Sequence, residues 1–174
     1  MIKDQIGRDP RGVLGVNKIC EWGYPQVIVN RPVFALVSDI EVFPTLYWLT
    51  CPYLRKEVAL LEAEGLIAEF ETRVQDDPKF AEQLAKSHQS YAEERLALIP
   101  ADVQERMKQE YPERYRVLAE SGVGGSRSIH GVKCLHMHLA DYLARGENPI
   151  GAEVVKILAK PLSCPDALCK EFDQ

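Results

Sequence analysis

Cysteine and histidine bind borderline metals and carry proton and nucleophile chemistry near neutral pH. This chain concentrates them. His130, Cys134, His136 and His138 follow directly on the glycine-rich stretch Gly122-Val-Gly-Gly-Ser-Arg, and together they hold three of the chain's four histidines. Glycine lets the backbone turn freely and lets a ligand approach closely. The stretch from 122 to 138 is therefore where the sequence places a site.

Two distant segments offer partners. Cys51 follows Thr45-Leu-Tyr-Trp-Leu and precedes Pro52, a strand running into a helix start. Aligned amides at such a helix start favour a thiolate. His88 lies on a long helical pattern with Tyr91 and Arg95. The metal reading takes Cys51, His88, Cys134 and His138, with His136 as a further ligand or a donor behind them. Thiolate and imidazole in a tetrahedral array suit zinc, and iron is the alternative. A second reading makes Cys51 or Cys134 a nucleophile with His88 or His136 as its base, which requires hydrogen-bond reach and an orienting group. A third is a non-catalytic module that holds a small anion or a partner protein. Its ligands would be Gly124, Gly125, Arg127 and Lys133, with Tyr91 and Arg95. The glycine stretch matches neither of the familiar nucleotide-binding patterns, because Lys133 lies eight residues beyond Gly125 and Arg127 stands where a third glycine would be.

Other cysteines leave weaker marks. Cys20-Glu-Trp-Gly23 has the form of half a zinc knuckle without its second cysteine, and Cys164 and Cys169 are spaced as a wide clip. Five cysteines at irregular spacing do not make a disulfide framework.

The elements that must position these groups follow from pattern. Val13 to Cys20 and Gln26 to Asn30 read as strands around a turn at Glu21 to Pro25, and Val33 to Val37 continues the sheet. A helix from Pro52 ends near Gly65, with Leu54, Val58, Leu60 and Leu61 as its stripe. Leu66 to Val74 reads as helix or short strand. Asp77-Pro78 opens a helix to about Ile99 whose single face carries Phe80, Leu84, His88, Tyr91 and Arg95. That polar trio either lines a cleft or forms a buried network. Ala101 to Leu118 is a charged, solvated helical stretch broken at Pro112, compatible with a dimer arm as much as with an exposed helix. Val132 to Arg145 is helical and closed by Gly146. There Cys134 and His138, four apart, share one flank and His136 takes the other; with the first turn extended instead, all three would point the same way. Ile150 to Lys160 forms a last helix.

The 174 residues, 46% apolar and 27% charged, fit one globular domain. A net charge of −5 argues against general nucleic-acid affinity. No apolar run reaches the roughly 20 residues that span a bilayer, and the first residues lack the apolar core of a signal peptide. A cytoplasmic protein with reduced thiols is expected. The fold expected is α+β: a small, mostly antiparallel N-terminal sheet in residues 1–50, packed against four to six helices in 51–160, with a cysteine-containing tail over 161–174.

Gly7-Arg8…Arg11-Gly12-Val13, Phe43-Pro-Thr-Leu-Tyr-Trp-Leu-Thr-Cys-Pro-Tyr-Leu54, His88-x-x-Tyr91-x-x-x-Arg95, Gly124-Gly125 and Val132-Lys-Cys-Leu-His136 together resemble a bacterial family of unknown function, DUF501. The likeness runs from the N-terminus to about Gly151. It implies a bacterial cytoplasmic protein, supplies no activity, and draws attention to Cys51, His88, Arg95, Lys133, Cys134 and His136. In that family the turn after the first strand often carries Cys-x-Cys-Gly. Here Trp22 replaces the second cysteine, which departs from a metal site confined to the hairpin.

Overall fold

In a computed structural model, residues 1–35 and 39–173 are described. After a short helix α1 (Ile2–Ile6), strands β1 (Val13–Ile19), β2 (Pro25–Asn30), β3 (Val33–Ala35), β4 (Ile40–Val42) and β5 (Tyr47–Leu49) precede the longer helices. These are α2 (Pro52–Ala63), α3 (Leu66–Asp76), α4 (Pro78–Ala97), α5 (Ala101–Glu110), α6 (Pro112–Glu120), α7 (Leu135–Arg145) and α8 (Pro149–Leu158). Short 3-10 turns at Val123–Gly125 and Leu168–Phe172 complete the chain. The class is α+β, as the sequence implies. There are eight α-helices among the described residues, more than the four to six expected. Gly65, in the left-handed region at φ 93°, separates α2 from α3, Pro112 separates α5 from α6, and the polar N-terminus coils into α1.

β2 is central in an antiparallel sheet ordered β1-β2-β5, and β3 pairs with β4 in a separate two-stranded ribbon. The third strand expected over Val33 to Val37 therefore does not extend the main sheet, and residues 36 and 37 lie outside the described set. Val27 and Ile28 on β2 are wholly buried, whereas β1 is an edge with Leu14, Val16 and Ile19 outward. The core lies between β2, β5 and the helices: Leu46, Leu49, Leu54, Val58, Leu84, Leu135, Leu139, Ile150 and Val154 pack together. Burying each such side chain contributes roughly 1.5–3 kcal/mol. Met107, Leu118, Ile99, Val33 and Ile40 form a second cluster where α5 and α6 meet the ribbon. Leu60, placed on the buried stripe of α2 by pattern, is 51% exposed.

Caps fix the helices that carry the candidate residues. Asp77 accepts the amides of Lys79 and Phe80, each at 3.1 Å, to start α4. Asn148 accepts the Gly151 amide at 2.9 Å to start α8. Gly151 lets α8 lie close on α7, since a Cβ there would stand 2.4 Å from the His138 carbonyl oxygen.

Candidate functional site

The expected centre of Cys51, His88, Cys134, His136 and His138 divides into three places. The division begins at the start of α7. The helix opens at Leu135 rather than Val132, with Cys134 as an extended N-cap at φ −166° and ψ 127°. An N-cap side chain folds back over the first helical turn, so the sulfur meets His136 rather than His138. The flanks read from uniform helical spacing are therefore exchanged.

The first place joins Cys134 and His136 to Glu62 near the end of α2. Cys134 Sγ lies 3.5 Å from His136 Nδ1 and 3.3 Å from Glu62 Oε1, and His136 Nδ1 lies 3.1 Å from the same oxygen. Among the described residues, this is the group of three ligand-bearing side chains whose donor atoms lie within 4.8 Å of one another. His136 Nε2 is 3.0 Å from the Arg55 carbonyl oxygen. A carbonyl only accepts, so Nε2 carries the hydrogen and Nδ1 turns a lone pair toward the carboxylate and the sulfur. The Leu135 amide donates to Glu62 Oε1 at 2.7 Å and fixes the carboxylate. The side chains of His136 and Glu62 are 22% and 23% exposed, which leaves one side of the cluster open to solvent. Burial raises the Cys134 thiol above its ordinary range, with Glu62 adding to the rise, although the amides of Met137 and His136 act against it. Without an ion, this cysteine is a thiol.

The second place is a buried network on α4, α7 and α8. His88 Nδ1 accepts the Val123 amide at 2.9 Å, and its ring stands 5.8 Å from that of His138. Asn148 Nδ2 donates to His138 Nδ1 at 3.0 Å and to Asp141 Oδ2 at 2.9 Å. Arg145 grips Asp141 through both carboxylate oxygens at 2.7 and 2.9 Å, and Ser87 donates to Oδ2 at 3.3 Å. Desolvation holds both rings neutral: it lowers His88, and it pushes His138 down to about 3, with the neighbouring His88 adding to the effect. Each ring keeps a buried Nε2 without a hydrogen-bond partner. A cleft of about 610 Å³ between α4 and α6 reaches His88, yet His88 is only 3% exposed.

The rest of the polar stripe on α4 is also internal. The Tyr91 hydroxyl accepts the Leu46 amide at 2.6 Å. Arg95 donates to the carbonyls of Leu118, Ser121 and Pro44 and so caps the end of α6. Desolvation lowers its guanidinium to about 10. Of the two alternatives for the trio, the buried network is what forms. The glycine loop is likewise closed on itself: the amides of Gly122, Val123, Gly125 and Ser126 all bond within the loop or to His88, and Lys133 donates to the Gly124 carbonyl at 3.0 Å. Arg127 lies apart, lining a shallow cleft with Arg116 and Glu120.

Cys51 occupies the third place. It stands at the N-cap of α2 and is 5% exposed. Burial raises its thiol and outweighs the amides of Leu54 and Tyr53. The lowered value expected at a helix start is not what this environment produces.

With that geometry in hand, a family model settles the kinship. The chain belongs to the family described as Protein of unknown function (DUF501). The match spans residues 16–156 and so includes Glu62, Cys134 and His136 but not Cys164 or Cys169. No curated protein and no solved structure matches the chain. The motifs that carry the family resemblance meet in space. Pro44 packs on Gly125, where a Cβ would come within 2.9 Å, and Arg95 and Tyr91 bond the backbone at Pro44 and Leu46. Sequence reading missed Glu62 entirely. It shares α2 with Glu57, with Glu64 just beyond the helix, and only the return of α7 gives it a partner. No helix is long and apolar enough to cross a membrane among the described residues.

Proposed function

We propose that this DUF501 protein binds a divalent transition metal, zinc by its donor set, through Glu62, Cys134 and His136. One observation carries the reading: a histidine whose Nε2 hydrogen is committed to Arg55 aims its Nδ1 lone pair at a carboxylate and a sulfur. A carboxylate and an imidazole lone pair that face one another need a cation between them, and a metal ion can take the place of the Cys134 thiol proton directed at Glu62. The sulfur and the spacing favour the metal. Zinc bonds of about 2.0–2.3 Å at tetrahedral angles separate ligand atoms by roughly 3.3–3.6 Å, and the three separations here are 3.1, 3.3 and 3.5 Å. The Arg55 carbonyl behind the imidazole and the Leu135 amide behind the carboxylate are supports typical of a metal site. Three protein ligands with an open side suit a site that holds water or substrate in the fourth position.

The nucleophile reading fits less well. A base between cysteine and carboxylate would use one ring nitrogen for each, whereas here both groups face Nδ1 and the thiol is raised. Elemental analysis of tag-free protein, prepared without chelator, tests the proposal against Glu62→Gln and Cys134→Ser. Serine is a good N-cap, so the second variant should still fold. Each variant is expected to lose one metal equivalent that the wild type holds. Equal metal content in all three would end the reading.

A further inference from the structure

The motif Gly7-Arg8…Arg11-Gly12 and the aromatic run that begins at Phe43 take no part in the Glu62 site, yet they meet in space. On β5 the side chains alternate: Tyr47 and Leu49 enter the core, so Trp48 between them faces away from it. Phe43 lies beside Trp48, with ring centroids 5.9 Å apart and 33° between the planes. Phe34 of β3 joins these two rings around a cavity of about 180 Å³. The loop from α1 to β1 closes it with two cations. The Arg8 guanidinium rests 4.6 Å from the centre of the Trp48 ring, and that of Arg11 4.9 Å from the centre of Phe34. Backbone bonds hold the loop there: the Arg8 amide donates to the Lys3 carbonyl at 3.2 Å, and the Arg31 amide to the Gly12 carbonyl at 2.6 Å. Gly12 sits at φ 63°, and a Cβ on it would overlap the Phe34 ring, so only glycine brings the loop this close. Three of the four charged groups at the cavity are already matched. Asp9 pairs with Lys3 at 2.9 Å, and Arg11 pairs with Glu41. Among the described residues the Arg8 side chain contacts Trp48 and has no ion pair or hydrogen bond. A guanidinium resting on a ring keeps its N–H groups free to donate.

We infer that this cavity binds a small aromatic carboxylate, its ring among Phe34, Phe43 and Trp48 and its carboxylate on Arg8. Size sets the ring. The cavity falls below the roughly 300–1,000 Å³ of pockets for drug-sized ligands, which leaves room for one ring and its acid group. Charge sets the acid. One unmatched guanidinium answers one negative charge, and its planar fork fits a carboxylate through two parallel hydrogen bonds. Asp9 and Glu41 line the same cavity and repel a doubly charged phosphate more than a singly charged carboxylate. Trp48 already positions the guanidinium, so less freedom is lost when a ligand arrives. The site shares no residue with Glu62, Cys134 and His136 and does not depend on a metal.

Benzoate titrated into the full chain carrying Trp22→Phe, in which Trp48 is the sole tryptophan, tests this by fluorescence. Saturable quenching with a Kd of about 1 mM or tighter is expected. Arg8→Gln in that background should weaken binding about tenfold or more, and because Arg8 is exposed the variant keeps its fold. Benzamide, of the same shape without the charge, and phenyl phosphate, with a second charge, should each bind more weakly than benzoate. Calorimetry on the wild-type chain repeats the benzoate titration with both tryptophans in place. Quenching that rises linearly without saturating overturns the inference, as does an affinity unchanged by Arg8→Gln or benzamide binding as tightly as benzoate. Phenyl phosphate or inorganic phosphate binding more tightly than benzoate overturns it too, since the site would then be a phosphate site.

Discussion

His136 and His138 stand two residues apart on α7 and meet opposite surroundings. His138 points inward, where Asn148, Asp141, Arg145 and Ser87 supply donors for acceptors almost one for one. That region pairs its charges, and its rings stay neutral although each keeps one buried Nε2 without a partner. His136 points outward to Glu62 and Cys134, where imidazole and carboxylate face one another and the thiol proton of Cys134 alone lies between them. Residue type does not separate the two. The polar groups already committed around each ring do. A balanced buried network is a device for holding helices together, whereas an unbalanced half-exposed one is a place to bind.

The contrast can be broken by stability measurements. Asp141→Ala should lose about 3–5 kcal/mol in urea unfolding, because it leaves the Arg145 guanidinium, 11% exposed, without its carboxylate. Glu62→Gln in metal-free protein should change stability by no more than about 1 kcal/mol, as for other solvent-screened pairs. A large loss there would make the cluster a structural pair and erase the distinction. Zinc at a hundred times its Kd should then stabilise the wild type by about 2.7 kcal/mol. Glu62→Gln should remove that gain.

Gly151→Ala should cost about 1–3 kcal/mol, since its methyl would press on the His138 backbone rather than on a side chain free to move. Acid sharpens the comparison further. The folded rings of His88 and His138 sit below their unfolded value near 6.5, that of His138 at about 3. Below pH 6.5 the unfolded chain therefore takes up protons that the fold refuses, and stability falls as pH falls. Each ring contributes a slope of about 1.4 kcal/mol per pH unit until its folded value is reached. Unfolding of metal-free protein at pH 7 and pH 5 should show the drop, and His88→Gln should make it smaller.

Much of this was legible beforehand. Asp77-Pro78, Asn148-Pro149, Gly65 and Gly146 mark helix ends by local chemistry, and the helices obey them. The stripe from Phe80 to Arg95 marked a single face of α4 and left a cleft and a buried network as alternatives; the face is buried. Cys134 and His136 were legible as donors. Their partner was not, because Glu62 is one of two carboxylates on α2, with Glu57, and acquires meaning only from the return of α7, 72 residues later. The grouping of Cys134 with His138 failed for a local reason, the extended N-cap that reorients one side chain. Cys51 and His88 were drawn into one centre by residue type alone. The first lies buried at the start of α2 and the second in the network with His138.

The most direct measurement is zinc-edge X-ray absorption on the zinc-loaded chain, with Glu62→Gln as the control that takes a ligand from the Glu62–Cys134–His136 site. A bound zinc with one sulfur neighbour and nitrogen or oxygen in the remaining positions is the predicted result. A chain that retains no zinc, or a zinc whose shell contains no sulfur, would contradict the account.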